Sequence, residues 1–164
     1  MRILGVDPGG SGALALLSTD LVVMDMPVYR VTRGKSAKAE LGVHELVEIL
    51  KRWAPNVCWF EQVGGIPGQS ASAAFNFGRI AGACEALVKA TGAQFHPVPP
   101  ATWKRAMGLR GGKDDARAMA QRLWPSAAAE FRRVKDDGRA EAALIAEYGR
   151  RKMSGLATDN GVFG

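Results

Sequence analysis

Acidic residues stand at several points where the chain could turn them toward one another. Asp7 closes the apolar run Ile3-Leu4-Gly5-Val6 and is followed at once by Pro8-Gly9. Glu61 closes a second run, Val57-Cys58-Trp59-Phe60. Asp137 and Glu141 lie at i, i+4 at the start of the last helical segment, a spacing that puts both on one helix face. Carboxylates gathered together repel one another unless hard cations neutralise them, and oxygen-only ligands select Mg²⁺ or Mn²⁺. Two such ions a few ångströms apart can activate a water and stabilise the leaving 3′ oxygen of a phosphodiester. Plainer readings exist for each acid. Asp7 is suited to starting a Pro-Gly turn, and Glu61 to standing before a glycine loop. Asp136 and Asp137 would complement the positive end of a helix. Glu141 could be a solvated helix acid, but Ala140, Ala142, Ala143, Leu144 and Ile145 surround it. An acid in such a stripe calls for a buried or metal partner.

The elements that must position these acids can be read in order. The segments 2–7, 13–18 and 21–26 read as a meander of three strands. The first is apolar on both faces, and open α/β sheets place their sites at the carboxyl ends of such strands. Residues 27–40, with Pro27 and Gly34, read as a polar, basic excursion over the surface. Leu41 to Trp53 has helical spacing, and 57–61 reads as a fourth strand parallel to the first. A glycine loop at 64–69 leads into a long helix, capped by Ser70 or Ser72 and ending near Ala90. Gly78 and Gly82 leave a flat stripe on it that suits helix packing. A fifth strand at 94–98, a short helix at 101–107, a basic loop at 109–113 and a helix at 114–123 follow. The last helix is expected from about Gly138 to Arg150. One domain is expected over 1–152, with 153–164 a disordered tail. This order is that of an RNase H-like α/β fold, a mixed five-stranded sheet with three antiparallel then two parallel strands, flanked by helices.

Composition bounds the partners. The net charge is +6 and the pI about 9.7, which favours a polyanion. More than half of the 22 Lys and Arg fall between Lys104 and Lys152, and Arg30, Arg33, Lys35 and Lys38 share one segment. No apolar run is long enough to span a membrane. No secretory signal is read, and Cys58 and Cys84 are read as reduced core thiols, so a cytoplasmic protein is expected.

The ordered set of motifs resembles the RuvC-type Holliday-junction resolvases, particularly small phage-like relatives. It comprises Ile3-Leu4-Gly5-Val6-Asp7-Pro8-Gly9, Trp59-Phe60-Glu61-Gln62, Pro100-Ala101-Thr102-Trp103-Lys104 and Asp136-Asp137-Gly138-Arg139-Ala140-Glu141-Ala142. The resemblance implies a homodimeric, Mg²⁺-dependent crossover junction endodeoxyribonuclease of DNA recombination and repair, which makes paired nicks in four-way DNA. It implies two Mg²⁺ per site, replaceable by Mn²⁺, held by Asp7, Glu61, Asp137 and Glu141. Bacterial enzymes of the family usually space their last two ligands at i, i+3 and end with Asp; here the spacing is i, i+4 and ends with Glu. Lys104 and Lys113 would reach the scissile phosphate. Arg30, Arg33, Lys35, Lys38, Arg79, Arg110 and Arg139 would bind the DNA backbone. The loop at 63–70 would enter the junction centre. Phe75 and Phe77 are candidate wedges there but are better read as packing residues. Trp103 and Trp124 are read as core, and His44 and His96 as structural. Alternatives are an RNase H-like nuclease acting on other branched DNA or RNA–DNA hybrids, and a junction-binding protein without catalysis. An actin-like ATPase also shares the opening turn, but the chain is short for its second domain.

Overall fold

The structure is a computed structural model that describes residues 1–33, 36–65, 68–112 and 114–155, with the backbone alone at 33 and 36. Lys35, Lys113 and the expected tail from 156 onward lie outside the described residues.

Five strands make the main sheet: β1 (Ile3–Asp7), β2 (Ala13–Leu17), β3 (Leu21–Asp25), β6 (Val57–Glu61) and β7 (Gln94–Val98), in the order β3-β2-β1-β6-β7. β1, β2 and β3 pair antiparallel, and β6 and β7 add to β1 in parallel. This is the mixed RNase H-like sheet expected from the sequence. Between β3 and β6 come a hairpin, β4 (Val28–Arg33) with β5 (Ser36–Leu41), and helix α1 (Val43–Trp53). Helix α2 (Ala71–Ala90) joins β6 to β7, and α3 (Pro100–Ala106), α4 (Asp115–Leu123), two 3₁₀ turns (Pro125–Phe131 and Val134–Asp136) and α5 (Asp137–Met153) complete the chain.

Strand alternation sorts the core into two layers. Leu4, Val6, Cys58 and Phe60 face α1 and α2, where Leu46, Leu50, Cys84 and Val88 meet them. Ile3, Trp59 and the Ala-rich face of α5 form the other layer with Trp103 and Phe131. Asp7 and Glu61 share the parity of Ile3 and Trp59, so both belong to the α5 side. The register Gly5↔Trp59, Val6↔Phe60 sets their strand ends side by side.

α5 lies close on the sheet because small residues line the interface. A Cβ on Gly5 would collide with Ala142 O and come within 2.5 Å of Ala146 N. A Cβ on Gly149 would collide with the Trp59 ring. At the other end of this interface, a Cβ on Gly138 would stand 2.6 Å from Ser11 O and 3.1 Å from Asp7 Oδ2.

The basic segment expected as a surface excursion is a hairpin. Val28, Tyr29, Val31 and Thr32 supply β-forming side chains to β4, while Ala37, Lys38, Ala39 and Glu40 of β5 carry little strand signal of their own. The hairpin leans on α2, where Asn76 Nδ2 donates to Ala39 O at 3.1 Å and Lys38 Nζ to Ser72 Oγ at 2.8 Å. Ser70 caps α2, accepting from Ala73 N at 3.2 Å.

Candidate metal centre

Asp7, Glu61 and Glu141 come from β1, β6 and α5, and one carboxylate oxygen from each lies within 4.8 Å of the others. The local reasons differ. Gly12 lets the chain fold back tightly over Asp7, since a Cβ there would collide with Asp7 O. Glu61, at the end of a fully buried strand, is only 7% exposed. Glu141 is in the first turns of α5, the end that Gly138 allows close to the β1–β2 turn.

Two donors from α3 serve this cluster. Trp103 Nε1 donates to Glu61 Oε1 at 2.9 Å, and Lys104 Nζ donates to Glu141 Oε1 at 2.7 Å. The ammonium also stands 5.1 Å from the centroid of the Trp103 ring. Burial, followed by the charges of Glu61 and Glu141, raises the Asp7 carboxyl well above the ordinary carboxylate range, against the pull of Lys104. Burial also raises Glu61, opposed by the Trp103 hydrogen bond. Burial works to lower the Lys104 ammonium, but the hydrogen bond and charge of Glu141 outweigh it, and its pKa is raised. Among the described residues, three acids face one cation, a donor set short of positive charge. Its oxygen-only chemistry fits a hard divalent cation.

Asp137 takes a different place. It shares a cleft of about 250 Å³ with Lys104 and Glu141, bordered by Gly111 and Gly112, but its carboxylate faces Arg117. Arg117 Nε lies 2.7 Å from Asp137 Oδ1, an ion pair without hydrogen-bond alignment. Arg117 also pairs with Asp114 and donates to Arg132 O at 3.2 Å. The i−3 position relative to Glu141 is Gly138, and it is this residue that approaches Asp7. Asp136 is buried and structural: it accepts from Arg133 N at 2.7 Å and from the Arg133 guanidinium.

The basic candidates lie at several distances from chemistry. Arg30, Arg79 and Arg110 are exposed, and Lys38 is half-buried. Arg139 is held by protein acids, with Nε 2.6 Å from Asp25 Oδ1 and Nη1 2.6 Å from Glu130 Oε2. The backbone leading toward position 113 is tied by Asp115, whose Oδ2 accepts from Arg110 N and Gly112 N. Phe75 is 68% exposed on α2. Gly78 and Gly82 have nothing described within 4 Å of an added Cβ, so this face of the helix is open. His44 is exposed, and His96 stacks on Trp59 with centroids 4.6 Å apart.

Sequence reasoning misses the role of Trp103, which it places in the core and no further. The available signal is its position beside Lys104 at the start of a short helix. It also misses Arg117, for which a charge within a helix offers no cue to its partner.

No family model matches the chain, and no curated protein matches it by sequence. Among solved structures, its fold is similar to that of Thermus thermophilus RuvC in complex with a Holliday junction substrate. The TM-score is 0.59 at 18% identity, over 96% of this chain and 99% of that one. A second Thermus thermophilus RuvC structure gives 0.56 at 18% identity over the same shares. The fold is therefore RuvC-like. No described helix is long and apolar enough to cross a membrane.

Proposed function

We propose that this protein is a structure-selective endonuclease that resolves four-way DNA junctions by metal-dependent phosphodiester hydrolysis. The observation that carries the proposal is the meeting of Asp7, Glu61 and Glu141 at one point, at the carboxyl ends of adjacent parallel strands, in a fold similar to that of RuvC. The positive charge of the whole chain supports a nucleic-acid substrate.

In this reading Asp7, Glu61 and Glu141 hold Mg²⁺, with Mn²⁺ as a substitute. Asp137 serves as an outer carboxylate, in competition with its pairing to Arg117. Two divalent cations at such a centre supply a nucleophilic water at neutral pH and charge neutralisation at the leaving 3′ oxygen. Lys104 gives up Glu141 and turns its ammonium to the scissile phosphate, with Lys113 approaching from the neighbouring loop. Arg30, Arg33, Lys35, Lys38, Arg79 and Arg110 track the backbone of the junction arms, supplying affinity without sequence information. Arg139 has less to offer DNA while Asp25 and Glu130 hold it. The open α2 face with Phe75, Gly78 and Gly82 serves as the interface of a homodimer. Its twofold symmetry matches the two equivalent strands of a junction. The cytoplasm of a bacterium or phage-infected cell is the setting.

The test is cleavage of a labelled synthetic four-way junction beside linear duplex and RNA–DNA hybrid, in Mg²⁺ or EDTA. Paired nicks confined to the junction, abolished by EDTA and by Asp7→Asn while junction binding persists, are expected. Cleavage of the hybrid alone would move the substrate, and tight junction binding without any cleavage would remove the catalytic role.

A further inference from the structure

Glu61 is the least exposed acid of the cluster, and two further acids share its site. Left to itself, a buried carboxylate this close to Asp7 and Glu141 would rotate away from them or take up a proton. One fixed group opposes this. The indole N–H of Trp103, a side chain with no exposed surface, donates to Glu61 Oε1 at 2.9 Å. An indole N–H is a donor only. It can orient a carboxylate but cannot compete for a cation.

Trp103 and Lys104 are consecutive in α3, and they treat their acids differently. The Lys104 side chain is 38% exposed on a flexible stem, so its ammonium can leave Glu141 when other positive charge arrives. Trp103 cannot leave. Pro99 and Pro100 open α3 directly after β7, and Gln62 N donates to Val98 O at 2.8 Å, tying the residue after Glu61 to the strand that launches the helix. The acceptor thus stands at one strand end, and the donor on the helix that starts from the end of the neighbouring strand.

We infer that Trp103 is a positioning residue whose indole N–H fixes the orientation of the Glu61 carboxylate toward the bound cation. This rests on the reading of the acidic cluster as a metal centre. Hydrogen-bonding partners of metal-ligating groups set ligand orientation, and their loss typically weakens metal binding by about 10–100-fold.

The test removes the N–H and keeps the shape. 3-Benzothienylalanine at position 103 puts sulfur in place of the N–H in the same bicyclic frame, and Trp103→Phe is the encoded counterpart. Mn²⁺ binding is read from the free-ion electron paramagnetic resonance signal, beside the thermal midpoint of the metal-free protein. The expected result with the sulfur isostere is a loss of Mn²⁺ affinity of about tenfold or more at a near-constant midpoint. In a Glu61→Ala background, which has no side-chain acceptor, the isostere should cause no further loss. Unchanged Mn²⁺ affinity would overturn the inference, as would an equal loss in the Glu61→Ala background. A wild-type protein that fails to bind Mn²⁺ would overturn the metal-centre reading itself, and the inference with it. If Trp103→Phe does not fold, the isostere decides alone.

Discussion

Asp7 and Glu61 are carboxyls that the fold makes harder to ionise, chiefly by burying them. A carboxyl whose pKa is raised on folding contributes stability that is complete below the ordinary carboxylate range and lost as the pH climbs through the raised value. The metal-free protein should therefore melt at progressively lower temperature as the pH rises from the ordinary carboxylate range through the raised values of these two groups. Mg²⁺ should reverse the loss at the upper end, since a ligand that binds only the folded state stabilises by mass action, about 2.7 kcal/mol at a hundredfold excess over Kd. For a domain of this size that is roughly 2–4 °C per kcal/mol. Asp7→Asn should flatten the metal-free pH profile, raise the midpoint at neutral pH and abolish the Mg²⁺ shift. Melting curves across pH in EDTA and in Mg²⁺ check all three, and a flat wild-type profile in EDTA would contradict the electrostatic account.

Helix α5 carries Glu141 to β1, and Gly5 is the floor on which it rests. Gly5→Ala should lift the helix, costing about 1–3 kcal/mol by the usual measure of overpacking. It should also shrink the Mg²⁺-induced rise in melting temperature, because Glu141 would move with the helix. Thermal unfolding with and without Mg²⁺ separates the two effects, and loss of stability with an intact Mg²⁺ shift would uncouple the helix from the site. The strands of the main sheet, the two long helices and the gathering of Asp7, Glu61 and Glu141 are legible because periodicity and run endings are local signals. The runs ending in Asp7 and Glu61 mark strand ends, and the apolar stripe marks Glu141. Asp137 shows the limit. Spacing assigns a residue to a helix face but not its side chain to a partner, and Arg117, far off in sequence, holds that carboxylate. The β4–β5 hairpin escapes for a related reason, since Ala37-Lys38-Ala39-Glu40 becomes a strand by pairing with β4 rather than by preference. The bond from Trp103 to Glu61 spans β7 and a helix start, and no spacing rule reaches across it.

The positive charge spread over the hairpin, α2 and the loop after α3 predicts steeply salt-dependent DNA binding. Each Lys or Arg withdrawn from a phosphate should lower the slope of log K against log salt by about one. Arg30→Ala combined with Lys38→Ala should therefore reduce the slope by about two and weaken binding without changing which DNA is preferred. Arg139→Ala should act on stability instead, because it strands Asp25 and Glu130. Filter-binding titrations over a range of salt, paired with melts, distinguish the two behaviours, and an unchanged slope in the hairpin variant would take that arm off the DNA. The seat of α5 on Gly5 also bears on how such a chain can change over time. Where main chain rests on main chain, the gap between the first and last acids is set by backbone thickness, which no substitution elsewhere in the core alters. Side chains around it are free to drift in company, insulated from the geometry of the acids, provided the glycine stays. A fold shared at 18% identity is what that arrangement permits.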